Sequence, residues 1–269
     1  ELEQKNFLDK IEDINHTVPY GDRTNSVIEP LLTEQWFVNA KKLSHEAIRQ
    51  VKKKNTNFFP DNWKKTYFQW MENIEPWCIS RQLWWGHQIP AWYTEDGKII
   101  VAENFKEAKK IAKKKFKKEV LLKQDPDVLD TWFSSALWPF ATLGWPNNKS
   151  YELKRFYKTK VLVTGFDIIF FWVARMMMMG LYFMKEVPFE NIYVHALVRD
   201  EKGQKMSKSK GNVIDPLTII NEFGADALRF TLISMSSPGR DVKLSLDRVK
   251  GYRNFITKIW NTFSYCEIN

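Results

Sequence analysis

Cysteine is nearly absent: Cys78 and Cys266 are the only two in 269 residues, far apart and in no CxxC arrangement. That excludes a disulfide framework and a cysteine-built zinc site, and it fits a reducing compartment, here expected to be the cytoplasm. No tightly bound metal is expected. Acid is in deficit, with 32 Asp and Glu against 41 Lys and Arg, so the formal charge is +9 and the pI near 9.3. Such a balance favours a polyanionic partner. Also lacking is a clean apolar run of membrane length. Val161 to Met184 comes nearest, but it contains Gly165, Asp167 and Arg175, and charge near a bilayer centre is costly. No membrane partner and no secretory leader are expected.

What is present is enough apolar material, 44% of residues, to bury a sizeable core in one large or two modest domains. Eight lysines fall between Lys106 and Lys118, where Phe105, Ala108, Ala112 and Phe116 recur at helical spacing. This predicts an amphipathic helix with a solvated lysine face, with a nucleic-acid contact as the alternative. Six of the twelve tryptophans lie from Trp63 to Trp92, a density that predicts core or platform packing before it predicts a binding site.

The most informative stretch is Lys205-Met206-Ser207-Lys208-Ser209, followed by Lys210-Gly211-Asn212. Two lysines three positions apart among hydroxyls, between Gly203 and Gly211, make a cationic loop suited to a polyphosphate. Upstream, Val161-Leu162-Val163 reads as a central parallel strand, Thr164-Gly165-Phe166-Asp167 as a turn, and Ile168 onward as a helix with Asp167 capping its N-terminus. Asn191 to Val198 reads as a second strand and Asp200-Glu201-Lys202-Gly203 as a turn. Asp215 is a plausible N-cap, Pro216 the first helical residue and Gly224 the stop. Two strand-helix units argue for part of a doubly wound α/β sheet, whose ligands bind outside the carboxyl ends of the strands. Gly165, Asp167 and the lysine loop are expected together on that rim. Residues 1 to 38 are turn-rich and read as the end of something larger, and an amphipathic helix is expected from Leu246.

Four blocks carry a resemblance: WCISRQLWWGHQIPAWY from Trp77, DPDVLDTWFSSALWPF from Asp125, TGFDIIFFWVARMMMMG from Thr164 and DEKGQKMSKSKGNVIDP from Asp200. In their order the chain resembles class I aminoacyl-tRNA synthetases, most specifically the bacterial valyl type, over essentially its whole length. The resemblance implies an α/β fold, the second half of a Rossmann-like doubly wound parallel sheet, with an irregular β-containing segment before it and the start of an α-helical region after it. It implies an end of an inserted editing domain over 1–38, a catalytic domain over 39–235 with insertions around 95–125, and a stem or anticodon-binding region from 236 to 269.

The same resemblance implies ATP with Mg²⁺, L-valine and tRNA(Val) as substrates, activation of valine to valyl-adenylate, and a monomer at full length. Lys205 and Lys208 would neutralise charge on the phosphates, with Ser207 and Ser209 donating to phosphate oxygens or only shaping the loop. Gly165 and Asp167 match the ribose-binding turn, Asp167 acting there, as a cap, or both. His195 lines the adenosine pocket or serves as a structural hydrogen-bonder. Trp132, Ile168 and Trp172 fall where valyl enzymes surround the side chain, Ile168 and Trp172 one helical turn apart; ordinary core packing is the alternative. Enzymes of this type discriminate only about 10² against threonine, a general result for the class, hence the editing domain.

One departure matters. No HIGH-type motif is found, since Gly86-His87-Gln88-Ile89-Pro90 is a different feature, so this polypeptide alone is expected not to activate valine. An isoleucyl or leucyl enzyme, or a non-catalytic RNA-binding module, are the competing readings.

Overall fold

The computed structural model describes residues 1–21, 24–207, 211–236 and 241–269. They form two units, Glu1–Gln35 and Trp36–Asn269. The first is largely irregular, with a bridge between Tyr20 and Val27 closed by hydrogen bonds from Gly21 to Ser26 and from Ile28 to Pro19.

In the second unit the chain runs through β1 (Phe37–Val38), α1 (Ala40–Lys52), β2 (Asn57–Phe59), α2 (Trp63–Glu72), β3 (Trp77–Cys78), β4 (Ser80–Arg81), β5 (Ala91–Tyr93) and β6 (Ile99–Val101). It continues through α3 (Phe105–Phe116), β7 (Lys123–Gln124), β8 (Val128–Leu129), α4 (Thr131–Ser135), α5 (Trp138–Ala141), α6 (Tyr151–Phe156) and β9 (Thr159–Gly165). A 3₁₀ turn (Phe166–Ile168) and a π-helical segment (Ile169–Ala174) lead into α7 (Arg175–Phe183). Then come β10 (Phe189–His195), β11 (Val198–Arg199), α8 (Pro216–Phe223), α9 (Ala225–Met235), β12 (Val242–Lys243) and α10 (Leu246–Ile268).

The organising sheet is parallel, in the order β2-β10-β9. Period-two alternation decides its two faces. Phe58, Ile192 and Leu162 lie in register and point into the core, whereas Phe59, Tyr193 and Val163, also in register, are exposed. The central strand is therefore β10. The stretch Val161-Leu162-Val163, expected to be central, is an edge strand, with Val161 50% and Val163 60% exposed. Three consecutive β-branched or aliphatic residues cannot reveal that one face is bare, because the buried and the uncovered valine look alike in sequence.

Against the covered face pack α1, α2 and α7, with Tyr67, Phe140, Phe189, Met176 and Met177 fully buried. The run Phe166–Phe183 is, among the described residues, the one helical stretch long and apolar enough to cross a membrane, and more than half of it is buried inside the fold. Its methionines spend their surface on the core.

Local signals explain the flanking elements. The lysine block forms α3, capped by the Asn104 side chain accepting from the Glu107 N–H, with Ala108 and Ala112 buried against the antiparallel sheet β6-β5-β7. Asp215 caps α8 by accepting from the Leu217 N–H at 2.9 Å, Pro216 is its first residue, and Gly224 leaves it at φ +90°, a conformation that glycine takes without strain. From Leu246 the expected helix runs to Ile268.

The tryptophan-rich stretch divides. Trp77 and Trp92 are core residues and Trp63 stacks on Phe166 at 5.2 Å. Trp84 and Trp85 depart from the packing expectation: they project from the β4–β5 connection at 107% and 91% exposure. Sequence density reports aromatic count, not the direction in which a loop presents its side chains.

Candidate functional site

Gly165 ends β9 directly opposite His195, which ends β10, so both stand on the carboxyl edge of the parallel sheet. A methyl carbon placed on Gly165 would lie 2.7 Å from Asp167 Oδ1 and 3.7 Å from His195 Cε1, so carboxylate, imidazole and bare backbone meet there. Asp167 is exposed in the 3₁₀ turn and caps nothing. The capping role expected for it is not used, because the 3₁₀ and π segments offer no α-helical first turn for its carboxylate to accept from. Its oxygens stay available as acceptors. His195 Nδ1 lies 2.8 Å from the Ala196 carbonyl oxygen. A carbonyl only accepts, so Nδ1 carries the proton and the ring orientation is set.

The described feet of the lysine loop, Lys205–Ser207 and Asn212, stand on a separate platform, not on the rim of the same sheet. Beyond His195 the chain enters β11, which pairs in parallel with β12, and Leu197 passes 3.6 Å from the Gly165 methyl position. Asp241 holds this platform by accepting from the Leu197 N–H at 3.2 Å and pairing with Arg199. Lys205 is bridged to Arg199 and exposed, while Met206 packs against the small core that includes Ile219 and Leu244. Lys208 and Ser209 lie outside the described residues.

Asn212 staples the loop at its feet. Its Oδ1 accepts from the Ser207 N–H at 2.9 Å, and its Nδ2 donates to Asp200 Oδ2 at 2.9 Å and to the Lys205 carbonyl at 3.3 Å. Asp200 Oδ1 accepts from the Gln204 N–H at 2.7 Å. The Asn212 bond, with the Gln204 N–H second, holds the Asp200 carboxyl below its ordinary value. Asp200 lies in the turn expected for it, but the side-chain staple was not foreseen; an asparagine just after a lysine-serine run was the available signal.

Trp132 lies on α4 and Trp172 in the π segment, and the two elements pack together. The Trp172 Nε1–H donates to the Ser135 carbonyl on α4 at 3.1 Å, and the Trp132 ring lies 6.2 Å from that of Phe171. Ile168 closes the 3₁₀ turn, half-buried. The spacing argument for a shared face of an α-helix does not apply to Ile168 and Trp172, since the turn between them is π-helical. Single-turn π segments recur at functional sites.

Behind these aromatics stands a buried charge cluster that periodicity did not reveal. Asp130 Oδ2 accepts from the Trp77 Nε1–H at 2.9 Å and lies 3.2 Å from Arg81 and 3.5 Å from Arg175. Arg175 is only 8% exposed, stacked at 3.9 Å over the Trp77 ring. Burial pulls its pKa down to about 10, opposed by Asp130 and assisted by Arg81.

Taken together, the edge offers carboxylate oxygens, an oriented imidazole and close backbone approach, with a cation on the adjoining platform, while α4 and the π segment bring Trp132 and Trp172 onto packed elements. That set suits a polar diol, an anion and a small apolar side chain.

Comparison with known proteins agrees on one group. Residues 3–245 match the family described as tRNA synthetases class I (I, L, M and V). The chain is 69% identical over 269 residues to a valine--tRNA ligase of Pelagibacter ubique, and 62% identical over 268 residues to that of Bartonella henselae. All of this chain is covered in each case, but 31% and 29% of those proteins, so it spans about a third of the length of the curated relatives it matches. Among solved structures, Mycobacterium tuberculosis methionyl-tRNA synthetase in complex with methionyl-adenylate aligns with a TM-score of 0.65 at 19% identity, covering 88% of this chain and 40% of that one. The Agrobacterium radiobacter K84 LeuRS-tRNA-LeuAMS complex aligns at 0.58 with 20% identity over 71% of this chain and 29% of that one. At such identities the likeness speaks for the fold.

Proposed function

Because the chain belongs to the class I tRNA synthetases (I, L, M and V), we propose that it forms the part of a valine–tRNA ligase that holds the adenosine and the amino acid. The observation that carries this reading is Gly165, Asp167 and His195 meeting on one strand edge in a chain 69% identical, end to end, to a valine--tRNA ligase.

In the proposed reaction a carboxylate oxygen of valine attacks the α-phosphorus of ATP and the bond to the departing pyrophosphate breaks, giving valyl-adenylate. A terminal ribose hydroxyl of tRNA(Val) then attacks the valyl carbonyl carbon and AMP leaves. Little covalent chemistry falls to the protein, so positioning and charge stabilisation dominate. Asp167 accepts from the ribose hydroxyls, Gly165 admits the sugar close to the backbone, and His195 flanks it. Lys205, with Lys208, neutralises the phosphates, to which Mg²⁺ comes as part of the substrate. Trp132, Ile168 and Trp172 enclose the isopropyl group. Residues 1–38 belong to an editing domain, 39–235 to the catalytic domain and 236–269 to the stem, and the 269-residue polypeptide alone does not turn over.

ATP–pyrophosphate exchange with the full-length protein tests the reading. Valine should drive exchange at least about tenfold better than isoleucine, and Asp167→Asn should raise the KM for ATP more than that for valine. Exchange driven as well by isoleucine or leucine, or Asp167→Asn without effect, would overturn it.

A further inference from the structure

Trp132 and Trp172, which enclose the amino-acid side chain in the reading proposed above, stand on different elements, and one buried carboxylate ties those elements together. Besides the hydrogen bond from Trp77 and the ion pairs with Arg81 and Arg175, Asp130 accepts from the Trp132 N–H through Oδ1 at 3.4 Å and donates its own N–H to the Ile79 carbonyl at 2.7 Å. Arg175 directly follows the π segment that carries Trp172, and its guanidinium lies 5.4 Å from the Phe171 ring, itself the neighbour of Trp132. The contacts close a circuit from Trp132 through Phe171, Arg175 and Asp130 back to Trp132.

The circuit is costly to keep. Two guanidinium groups share one carboxylate, that of Arg175 buried and that of Arg81 reaching solvent with 39% of its side chain exposed. Arg175 Nη1 stands at ion-pair distance from Asp130 Oδ2 yet makes no hydrogen bond among the described residues. A cluster of this kind adds little stability over apolar packing, but it tolerates few arrangements, because moving any member strands a charge. At the far end of α4 the Trp172-to-Ser135 bond fixes the same pair of elements a second time.

We propose that Asp130 is a positioning residue that sets the separation of Trp132 from Trp172, and with it the width of the amino-acid recess, with Arg175 as the strut between them. The inference rests on the functional reading above and deepens it. One methylene is worth about 10 to 200-fold in such a recess, so small shifts of either indole are felt as specificity.

The test is Asp130→Asn in the full-length protein, assayed by valine- and isoleucine-dependent ATP–pyrophosphate exchange. Losing the carboxylate leaves two cations uncompensated, so the double variant Asp130→Asn/Arg175→Met accompanies it; methionine keeps a flexible, polarisable stem over Trp77 while one charge is removed. In whichever variant is folded, the KM for valine should rise about tenfold and the preference for valine over isoleucine should fall about tenfold, with the KM for ATP within about twofold. A merely structural role would lower the melting temperature and the active fraction, leaving preference and KM unmoved, and that result overturns the inference alone. Absence of valine-dependent exchange in the unsubstituted protein overturns the functional reading and this inference with it.

Discussion

At Gly165 the space for a methyl group is already taken by the Asp167 carboxylate. Gly165→Ala should turn that carboxylate away, raising the KM for ATP about tenfold in exchange assays while the fold survives, since φ there is −81° and open to alanine. Tyr67 makes the opposite case: its ring is fully buried and its hydroxyl has no hydrogen-bond partner among the described residues. Tyr67→Phe should therefore stabilise the chain by about 1 kcal/mol in urea denaturation. Asp200 carries a pH signature. Its carboxyl is held below the ordinary 3.8, so its bonds to Asn212 and Gln204 are fully present above that pH and are lost as pH falls through the depressed value. The side-chain amide resonances of Asn212 should report that loss only below about pH 4. That a strand would close near Gly165 and Asp167 sit in the turn after it was legible in the sequence, whereas the use of the carboxylate was not, since the cap expected of it is absent. Asp130 and Arg175 were not legible: far apart in the chain, they meet only through packing, and Arg175 first drew notice merely as a charge in an apolar run.

Elements with punctuation at both ends were legible almost to the residue. α8 is bounded by Asp215, Pro216 and Gly224, and α3 shows its alanine stripe plainly. Asp215→Ala should cost about 1 kcal/mol, measured by denaturation, because the Leu217 N–H loses its acceptor. The irregular descent from β9 into α7 escaped the sequence reading. Aromatic and aliphatic residues from Phe166 to Ala174 serve 3₁₀, α and π geometry alike, so composition could not fix which was used. The second strand was expected as far as Val198, but β10 ends at His195 and β11 begins at Val198, because the chain changes sheets across Ala196 and Leu197.

On the scale of the whole molecule, the α/β class and the parallel pairing could be read from the chain, while the bare face of the sheet could not. Burial of a strand depends on layers that its own residues do not encode. Phe59, Val161, Val163 and Tyr193 leave an apolar patch in water, where parallel sheets are ordinarily covered on both sides. The 269-residue chain should accordingly self-associate with rising concentration in sedimentation velocity, and Val161→Lys together with Val163→Lys should shift it towards monomer. Persistence of the association in that variant would place the contact elsewhere.

The paired indoles at Trp84 and Trp85 have an optical consequence. Rings so fully hydrated relax their solvent shell after excitation and emit to the red of Trp63, Trp77 and Trp92, which lie against protein. Trp260 at 69% and Trp138 at 47% exposure add to that red edge, but the loop holds its two most hydrated indoles, open to collisional quenching by acrylamide and free to brighten or shift blue when anything settles over them.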